Sequence, residues 1–516
     1  MIYQAEEATE PFWAEYSGKA SGRDPLAVQN SSVVIYARMM VGITNVTNRV
    51  RYLGFYCWLL ELILKNAEIK GSITEQFRYV RRAELLLAYM MVSEFPEVTG
   101  VSGSAFAHRS LQQVMSLRDG ADLDSPHTSG LYWTFKAGVF GQYYSGVLRE
   151  LGLILHPGPE LNIYSVREAG TLLANFFEAN IPEGSRDAFW DCVYSGKVRS
   201  DQLSQFSSFA LHLIPESEEE TFYRKLLLAA DSQDNDSDYR KQTILLLLGC
   251  LDQLDEEVRD LPLLFLRENY RKLSVQAELR DSAAAAWYLY ELNELTHVAL
   301  EHFHACLLWS LDVYPLPLEG HLEALVAATG RAFSEMEQDS REILLKDLAP
   351  ADTYQNYYEM QAALREADYG LCLAKAILTL VSVYRDCQSQ LSRLRDLAAL
   401  PHFNFDRAGY VVELLPELIE QREQLSLEKY TRSLLLLVIN LHVFSSYSKT
   451  RIGQALVHNY MIEENMIWRL RETFPNRTTP RLQNAIQYMD DLKWLSRSER
   501  KLFITELGKN LLADEN

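Results

Sequence analysis

The sequence predicts a mainly α-helical protein with several domains. Apolar residues recur at three- and four-residue spacing in stretches such as "RAELLLAYMMVSEF" and "KAILTLVSVYRDCQSQLSRL", with polar residues opposite them. Runs of β-branched residues bounded by turns are scarce. At 516 residues the chain exceeds one compact core, because domains hold roughly 100–200 residues each.

Breaks in the helical pattern predict three consecutive domains, at residues 1–190, 191–398 and 399–516. In the second, the stretch "DSQDNDSDYR" (231–240) is dense in Asp, Asn and Ser and predicts a flexible acidic loop. Pro315 and Pro317 should end one helix and precede the next.

The amino-acid composition excludes some classes of protein. The chain is 48% hydrophobic and 11% aromatic, which excludes a disordered scaffold. With 50 basic and 70 acidic residues its net charge is -20, so contact with nucleic acid requires a local basic patch. Six separated cysteines without a CxxC pair are typical of reduced thiols in the cytosol.

The sequence also bears on location. Its N-terminus lacks the basic start and apolar core of a signal peptide, and its longest apolar runs are shorter than the ~20 residues that span a bilayer. We therefore expect a cytoplasmic protein that does not associate with membranes.

The C-terminal stretch "TTPRLQNAIQYMDDLKWL" predicts a helix with one buried face, formed by apolar residues spaced i, i+3, i+4 and i+7. Its outer face carries Arg481, Asn484 and Gln487. "KWLSRSERKLFIT" then alternates around a polar turn, as a hairpin does, and Thr505 is placed to cap a last helix.

This order of elements, with "FITELGKNLL" after "YMDDLKWL", resembles the winged-helix family over about residues 450–513. The resemblance implies that Arg481, Asn484 and Gln487 face the bases of double-stranded DNA, with Arg497, Arg500 and Lys501 on a phosphate-binding wing. The stretch from Arg469 to Lys509 holds nine basic and five acidic residues, which favours this interpretation. Winged helices also serve as protein-binding modules, and that alternative stays open.

A second stretch, "YYSGVLRELGLILHPGPELNIYSVREAGTLLANFF" within about residues 131–177, has the same order and also resembles a winged helix. Ser165 and Glu168 should form the capping box of its last helix. Arg167 departs from the family pattern, in which a small polar residue is common at this position. The turn "HPGPE" has no Lys or Arg, so a structural or partner-binding role is favoured over phosphate binding.

One helix carries a candidate metal-binding face. Glu294, His297, Glu301 and His304 follow at spacings of three, four and three residues, which gives two Glu-x-x-His pairs. Four ligands along one helix do not converge on a single ion, so an amphipathic helix with paired Glu and hydrogen-bonded His is favoured. We identify no catalytic residue, expect no cofactor or metal, and leave metal binding by this face open.

The stretch "GITNVTNRVRYLGFYCWLLELI" places Arg49 and Arg51 just before an aromatic helix. They could bind an anionic partner beside the aromatic rings, but pairing with acidic neighbours next to a buried helix is favoured. With "DPLAVQNSS" before it, this stretch resembles uncharacterised bacterial proteins encoded in anti-phage cassettes.

These observations predict a non-catalytic subunit of a bacterial multi-protein assembly in anti-phage defence. It would bind protein partners through helical surfaces, with DNA as a further partner of the C-terminal module. A kleisin-like subunit of an SMC-type ATPase complex and a winged-helix transcriptional regulator are the alternatives. An enzyme is the less favoured possibility.

Overall fold

The computed structural model describes residues 24–65, 72–127, 130–159, 161–228, 235–253, 258, 260–276, 279–280, 282–311, 316–336, 343–349, 351–400, 403, 409–449, 457–498 and 501–515. For residues 235–237 and 515 the backbone alone is described.

The described chain is mainly helical, which confirms the predicted class. The α-helices are α1 Asn30–Met39, α2 Tyr52–Lys65, α3 Ile73–Glu94, α4 Ser104–Ser110, α5 Leu117–Ala121, α6 Ser145–Glu150, α7 Glu168–Ala179, α8 Glu183–Ser195, α9 Glu218–Leu228, α10 Asn235–Asp252, α11 Leu261–Ser274, α12 Ala283–Trp309, α13 Leu318–Glu335, α14 Thr353–Arg365, α15 Tyr369–Cys387, α16 Leu391–Ala398, α17 Tyr410–Leu418, α18 Leu427–Lys449, α19 Leu482–Asp491 and α20 Glu506–Glu515. Within the described ranges, no helix combines the length and the apolar character needed to cross a bilayer.

Irregular helices and short strands complete the secondary structure. A π-helical turn occupies Phe140–Tyr144, and 3₁₀ segments occupy Ser200–Phe209, Leu345–Asp347, Gln388–Gln390 and Glu420–Arg422. The strands are β1 Val114–Ser116, β2 Ile154–Leu155, β3 Ser165–Val166, β4 Lys197–Arg199, β5 Leu316–Pro317, β6 Tyr460–Glu463, β7 Met466–Arg469, β8 Leu495–Ser498 and β9 Lys501–Ile504. They pair antiparallel, β1 with β4, β2 with β3, β8 with β9, and β5, β7 and β6 in that order.

The chain folds into two compact units, each assembled from separate parts of the sequence. The first unit comprises residues 1–35, 266–281 and 285–478, of which those given above are described. The second comprises residues 36–265, 282–284 and 479–516. This division differs from the three consecutive domains that the sequence predicts, because the last 38 residues pack with the N-terminal half.

Two other sequence predictions can be compared directly with the structure. The prediction of a loop at 231–240 is wrong for its second half, because α10 begins at Asn235; residues 231–234 lie outside the described residues. The prediction around the two prolines is confirmed for the described part, since α12 ends at Trp309 and α13 begins directly after Pro317. Pro315 lies outside the described residues.

The core of the second unit is built on α2, whose residues from Tyr52 to Leu60 are all buried. Arg51, just before it, is buried and donates to Glu219 at 2.9 Å, with its guanidinium 5.1 Å from the centre of the Phe177 ring. Arg49 pairs with Asp491 at 2.6 Å. The favoured interpretation of these arginines, pairing with acidic neighbours beside a buried helix, is therefore confirmed.

The core of the first unit is built on α12, which is buried from Ala285 to Leu308. An extended segment, Thr473–Thr478, lies along this helix and is bonded to its polar side chains. Asn476 N donates to Glu301 Oε2 at 3.2 Å, and Thr478 N donates to Glu294 Oε2 at 2.9 Å. The carboxylates of α12 thus satisfy backbone groups that no sheet pairs.

The second unit contains two helix–hairpin–helix modules with matching backbone hydrogen bonds. In the first, α6 leads through β2 and β3 into α7; in the second, α19 leads through β8 and β9 into α20. Leu153 N donates to Leu148 O at 2.8 Å, and Trp494 N donates to Met489 O at 2.9 Å at the corresponding place. The residue before each, Gly152 or Lys493, has a positive φ of 72° or 61°.

A glycine in the last helix of each module approaches the first strand closely. Because Gly170 lacks a side chain, α7 can lie against the Leu153 carbonyl oxygen, which would be 2.1 Å from an added Cβ. The same distance from Gly508 to the Trp494 carbonyl oxygen is 2.2 Å. In both modules, therefore, the last helix packs through a glycine against the carbonyl group that precedes the first strand. Membership of the winged-helix superfamily stays a prediction for both.

Replacing either close-packed glycine should destabilise the second unit. We expect Gly170→Ala and Gly508→Ala each to lower the free energy of unfolding by about 1–3 kcal/mol, because the methyl group overlaps backbone rather than a movable side chain. Gly184→Ala in α8 is the matched control: nothing lies within 4 Å of its added Cβ, so it should be neutral or slightly stabilising. Urea denaturation of the three variants measures the difference, and equal stability of all three would contradict the close approach.

Candidate functional site: a charged cleft beside the C-terminal hairpin

The residues predicted to form the outer face of α19 are engaged within the second unit. Asn484 is only 8% exposed and donates to Thr47 O at 3.1 Å and to Asn48 Oδ1 at 2.9 Å. Gln487 donates to Asp491 Oδ1 at 3.1 Å. The prediction of an outward face is therefore wrong for Asn484, since α19 packs against the segment that precedes α2.

Arg481 lies just before α19 with a φ of 64°. Its guanidinium lies over the Tyr36 ring, 5.4 Å from the centroid, and donates to Met40 O at 3.4 Å. Arg481 is half-buried as a result, and burial lowers its pKa. Contact of Arg481, Asn484 and Gln487 with bases stays a prediction, and their side chains already have partners in the fold.

The two modules also come close at a pair of tyrosines. Tyr488 in α19 lies near Tyr144, the last residue of the π-helical turn before α6, and contributes after burial to raising the pKa of Tyr144. Both tyrosines are fully buried. The helix α19 is thus part of the core of the second unit, whereas α6 has a buried face and ends at the exposed Arg149 and Glu150.

The predicted wing is a hairpin, as expected. Arg497 in β8 is exposed and Lys501 in β9 is half-buried, whereas Arg500 lies outside the described residues. Next to the hairpin, Lys493 pairs with Glu220 at 3.3 Å and with Glu216 at 3.5 Å. Part of the local positive charge is therefore neutralised within the unit.

A cleft of about 320 Å³ opens beside this hairpin; we call it the charged cleft. It is lined by Arg49, Glu97, Val98, Thr99, His212, Gln487, Asp490, Asp491 and Arg497. A cleft of this size is at the lower end of the range for ligand sites in proteins. Its concentration of ionisable groups with shifted pKa values makes it the candidate functional site.

One charge pair closes the floor of the charged cleft. Arg49 donates to Asp491 Oδ1 at 2.6 Å and, through Nε and Nη2, to Thr99 O at 3.1 and 3.0 Å. Asp491 also accepts from Val50 N at 3.3 Å. Burial raises the pKa of Asp491 to about 6 in spite of the Arg49 charge. These two residues satisfy each other, so they shape the cleft more than they offer it binding capacity.

Other groups in the charged cleft are less engaged. Burial raises the pKa of Asp490, although Arg497 and Arg49 act to lower it. Burial, followed by the charge of Arg49, lowers the pKa of His212, whose ring packs edge-on against Phe95 at 4.8 Å. Within the described chain, His212 Nδ1 is shielded from solvent and has no hydrogen-bond partner.

The first module differs from expectation at its last helix. Ser165 lies in β3 rather than at a helix cap, and α7 begins at Glu168 with Arg167 at the capping position and no side-chain cap bond. The predicted capping box is therefore wrong. In the second module, Thr505 caps α20 as predicted, since its Oγ1 accepts from Gly508 N at 3.1 Å.

The candidate metal-binding face of α12 is buried and bonded to protein groups. Glu294 accepts from Thr478, His297 lies 3.2 Å from Asn476 O, Glu301 accepts from Gln29, and His304 lies 3.3 Å from Asn459 Nδ2. Among the residues that the structure describes, no group of three or more His, Cys, Asp or Glu side chains is arranged to hold a metal ion. The paired carboxylates match the favoured interpretation, but the helix is buried on all sides rather than amphipathic.

Sequence reasoning missed most of the charged cleft. Glu97 and His212 lie far from α19 in the sequence, and no spacing rule brings them together. The sequence did contain a signal for Asp490 and Asp491. Two carboxylates at the C-terminal end of a helix interact unfavourably with the helix dipole, so a positively charged residue is expected close to them. Arg49 is that residue for Asp491.

Comparison of the chain with protein-family models, with curated proteins and with solved structures finds no match.

Proposed function

We propose that this chain is a non-catalytic, protein-binding subunit of a bacterial multi-protein assembly. The resemblance of its N-terminal stretch supplies the setting, anti-phage defence. In this proposal the two helix–hairpin–helix modules form a scaffold. Its hairpins, rather than the helices α6 and α19, bind the partner.

One observation carries the proposal: α19 is largely buried, whereas apolar side chains are exposed around the first hairpin. Leu155 in β2 is 45% exposed, Leu161 in the turn 42% and Leu172 in α7 45%. Exposed leucines around a turn without Lys or Arg suit the apolar surface of another protein and offer no phosphate contact. An apolar protein surface is therefore the partner that we assign to this hairpin.

The alternatives differ in what they require. A transcriptional regulator needs base-reading side chains in the major groove, and the burial of Asn484 gives that function less support. A kleisin-like subunit requires association with a coiled-coil ATPase. It remains the second candidate because, like a kleisin, the chain carries two modules with the same order of elements.

The decisive experiment replaces one exposed leucine. Leu155→Glu should weaken the complex with the co-purifying partner at least tenfold, because it places a charge in an apolar interface. Leu123→Glu is the matched control: Leu123 is 46% exposed but lies outside both modules, so binding should be unchanged. The full-length protein, purified at native expression level, is measured by native mass spectrometry and titration against that partner.

The same preparation distinguishes protein from DNA as the partner. We expect no salt-dependent binding of a 20-base-pair duplex by the full chain, and equal behaviour of the Arg497→Gln variant. The proposal fails if the full chain binds the duplex with an affinity that falls steeply with salt and with loss of Arg497, while Leu155→Glu leaves every protein partner bound.

A further inference from the structure

The charged cleft holds more negative than positive charge. Its carboxylates are Glu97, Asp490 and Asp491, and its guanidinium groups are Arg49 and Arg497. Because the pKa of His212 is lowered, its imidazole is neutral near pH 7 and adds no positive charge. The Arg49–Asp491 pair is closed, which leaves two carboxylates facing one guanidinium.

The uncommitted groups of the cleft are mainly hydrogen-bond acceptors. Asp490 Oδ2 receives only a long contact, 3.5 Å from Gln487 Nε2, and its raised pKa shows that its negative charge is poorly compensated. His212 Nδ1 is unpaired among the described residues but is shielded from solvent, so it is not an acceptor for a ligand in the cleft. Glu97 is exposed at the rim, where its carboxylate faces solvent. These acceptors call for a ligand that donates several hydrogen bonds.

We propose that the charged cleft binds the cationic head of an arginine or lysine side chain supplied by a protein partner. A guanidinium or ammonium group brings three to five donors and one positive charge, which matches the two carboxylates. An anion would meet the unpaired Asp490 and Glu97 charges instead. This inference rests on the proposed function, because it names the chemistry by which the second module meets its protein partner.

Arg497 defines the open side of the cleft. It is exposed in β8 and its charge acts on Asp490. An entering cation takes over that role at Asp490, and Arg497 is then available for the peptide carbonyl groups beside the bound side chain. The cleft therefore accepts a side chain that belongs to a polypeptide more readily than a free divalent cation, which would require a ligand set that is not assembled here.

The experiment titrates the full-length protein with four probes. They are Nα-acetyl-arginine methylamide, the corresponding lysine derivative, the citrulline derivative as a neutral isostere of arginine, and inorganic phosphate. Saturation-transfer NMR should show saturable binding of the arginine or lysine derivative, and at least tenfold weaker binding of citrulline and phosphate. Comparable binding of citrulline, or tighter binding of phosphate, would overturn the proposal.

Variants locate the site. Asp490→Asn should weaken binding of the cationic probe at least tenfold, and Glu97→Gln, at an exposed position that cannot disturb folding, should weaken it several-fold. Asp514→Asn, an exposed carboxylate in α20 outside the cleft, is the matched control and should bind normally. Unchanged binding in both cleft variants would refute the assignment. If neither cationic probe binds although the partner complex persists and depends on Leu155, this inference fails while the proposed function stands.

Discussion

Arg477→Leu should lower the free energy of unfolding of the first unit by about 3–5 kcal/mol. Arg477 donates to Glu291 Oε1 at 2.8 Å and also to Glu291 Oε2, and its Nε lies 3.7 Å from Glu294 Oε2. Both carboxylates are completely buried, so removal of the guanidinium leaves two negative charges inside the core. Hydrogen exchange of the α12 amides in increasing urea reports this loss for the first unit alone.

Two companions of this variant separate charge from packing. Arg469→Leu removes an exposed pair with Glu472 and should change stability by less than about 1 kcal/mol. The double variant Arg477→Leu/Glu291→Leu removes both members of the buried pair and should recover a large part of the loss, because an apolar pair replaces an isolated charge. If Arg469→Leu costs as much as Arg477→Leu, burial does not explain the effect.

Glu301→Gln should remove a large contribution to the stability of the first unit that is lost as the pH rises. Burial raises the pKa of Glu301 to about 7, against the lowering effects of His297, Gln29 and the Asn476 N–H. The folded state therefore holds a proton that the unfolded chain releases above pH 4.5, so the contribution of Glu301 to stability falls as the pH rises from about 4.5 to 7. The shift corresponds to roughly 3 kcal/mol.

His297 acts in the same direction. Glu294 and Glu301 raise its pKa against the effect of burial, so its contribution is also present at low pH and lost as the pH rises. The buried His302 and His442 act in the opposite direction below about pH 6.5, because burial lowers their pKa values to about 4.

Urea denaturation from pH 5 to pH 8, followed at α12, should therefore show that the stability of Glu301→Gln relative to the parent protein rises by roughly 2–3 kcal/mol between pH 5 and pH 7. Glu323→Gln, at an exposed site in α13, should reproduce the parent profile. A constant difference between Glu301→Gln and the parent protein would show that Glu301 is ionised throughout.

The helical class and the order of elements at both modules could be predicted because they depend on local signals. Apolar spacing located α3 and α15. The hairpins β2–β3 and β8–β9 were visible from alternation around polar turns. Each of these features is determined by residues that lie only a few positions away in the sequence.

The positions of the functional side chains could not be predicted in the same way. Asn484 has the spacing of an outward residue on α19, yet a segment more than 430 residues earlier in the chain covers it. Likewise, α12 carries a polar stripe that normally signals solvent, but Arg477, Asn476 and Thr478 cover that stripe. Periodicity shows which residues share a face and leaves open what lies against it.

The segment Thr473–Thr478 along α12 affects which substitutions the protein tolerates. Its bonds at Thr473 and Asn476 use backbone atoms: Trp309 Nε1 donates to Thr473 O, and Asn476 offers both its N–H and its carbonyl oxygen. Backbone atoms are common to nearly all amino acids, so Thr473 and Asn476 can vary widely during evolution. Glu294, His297 and Glu301 cannot vary in this way, because each supplies a specific side-chain atom. Sequence drift should therefore be rapid at Thr473 and Asn476, and slow at Arg477 and on the helix α12.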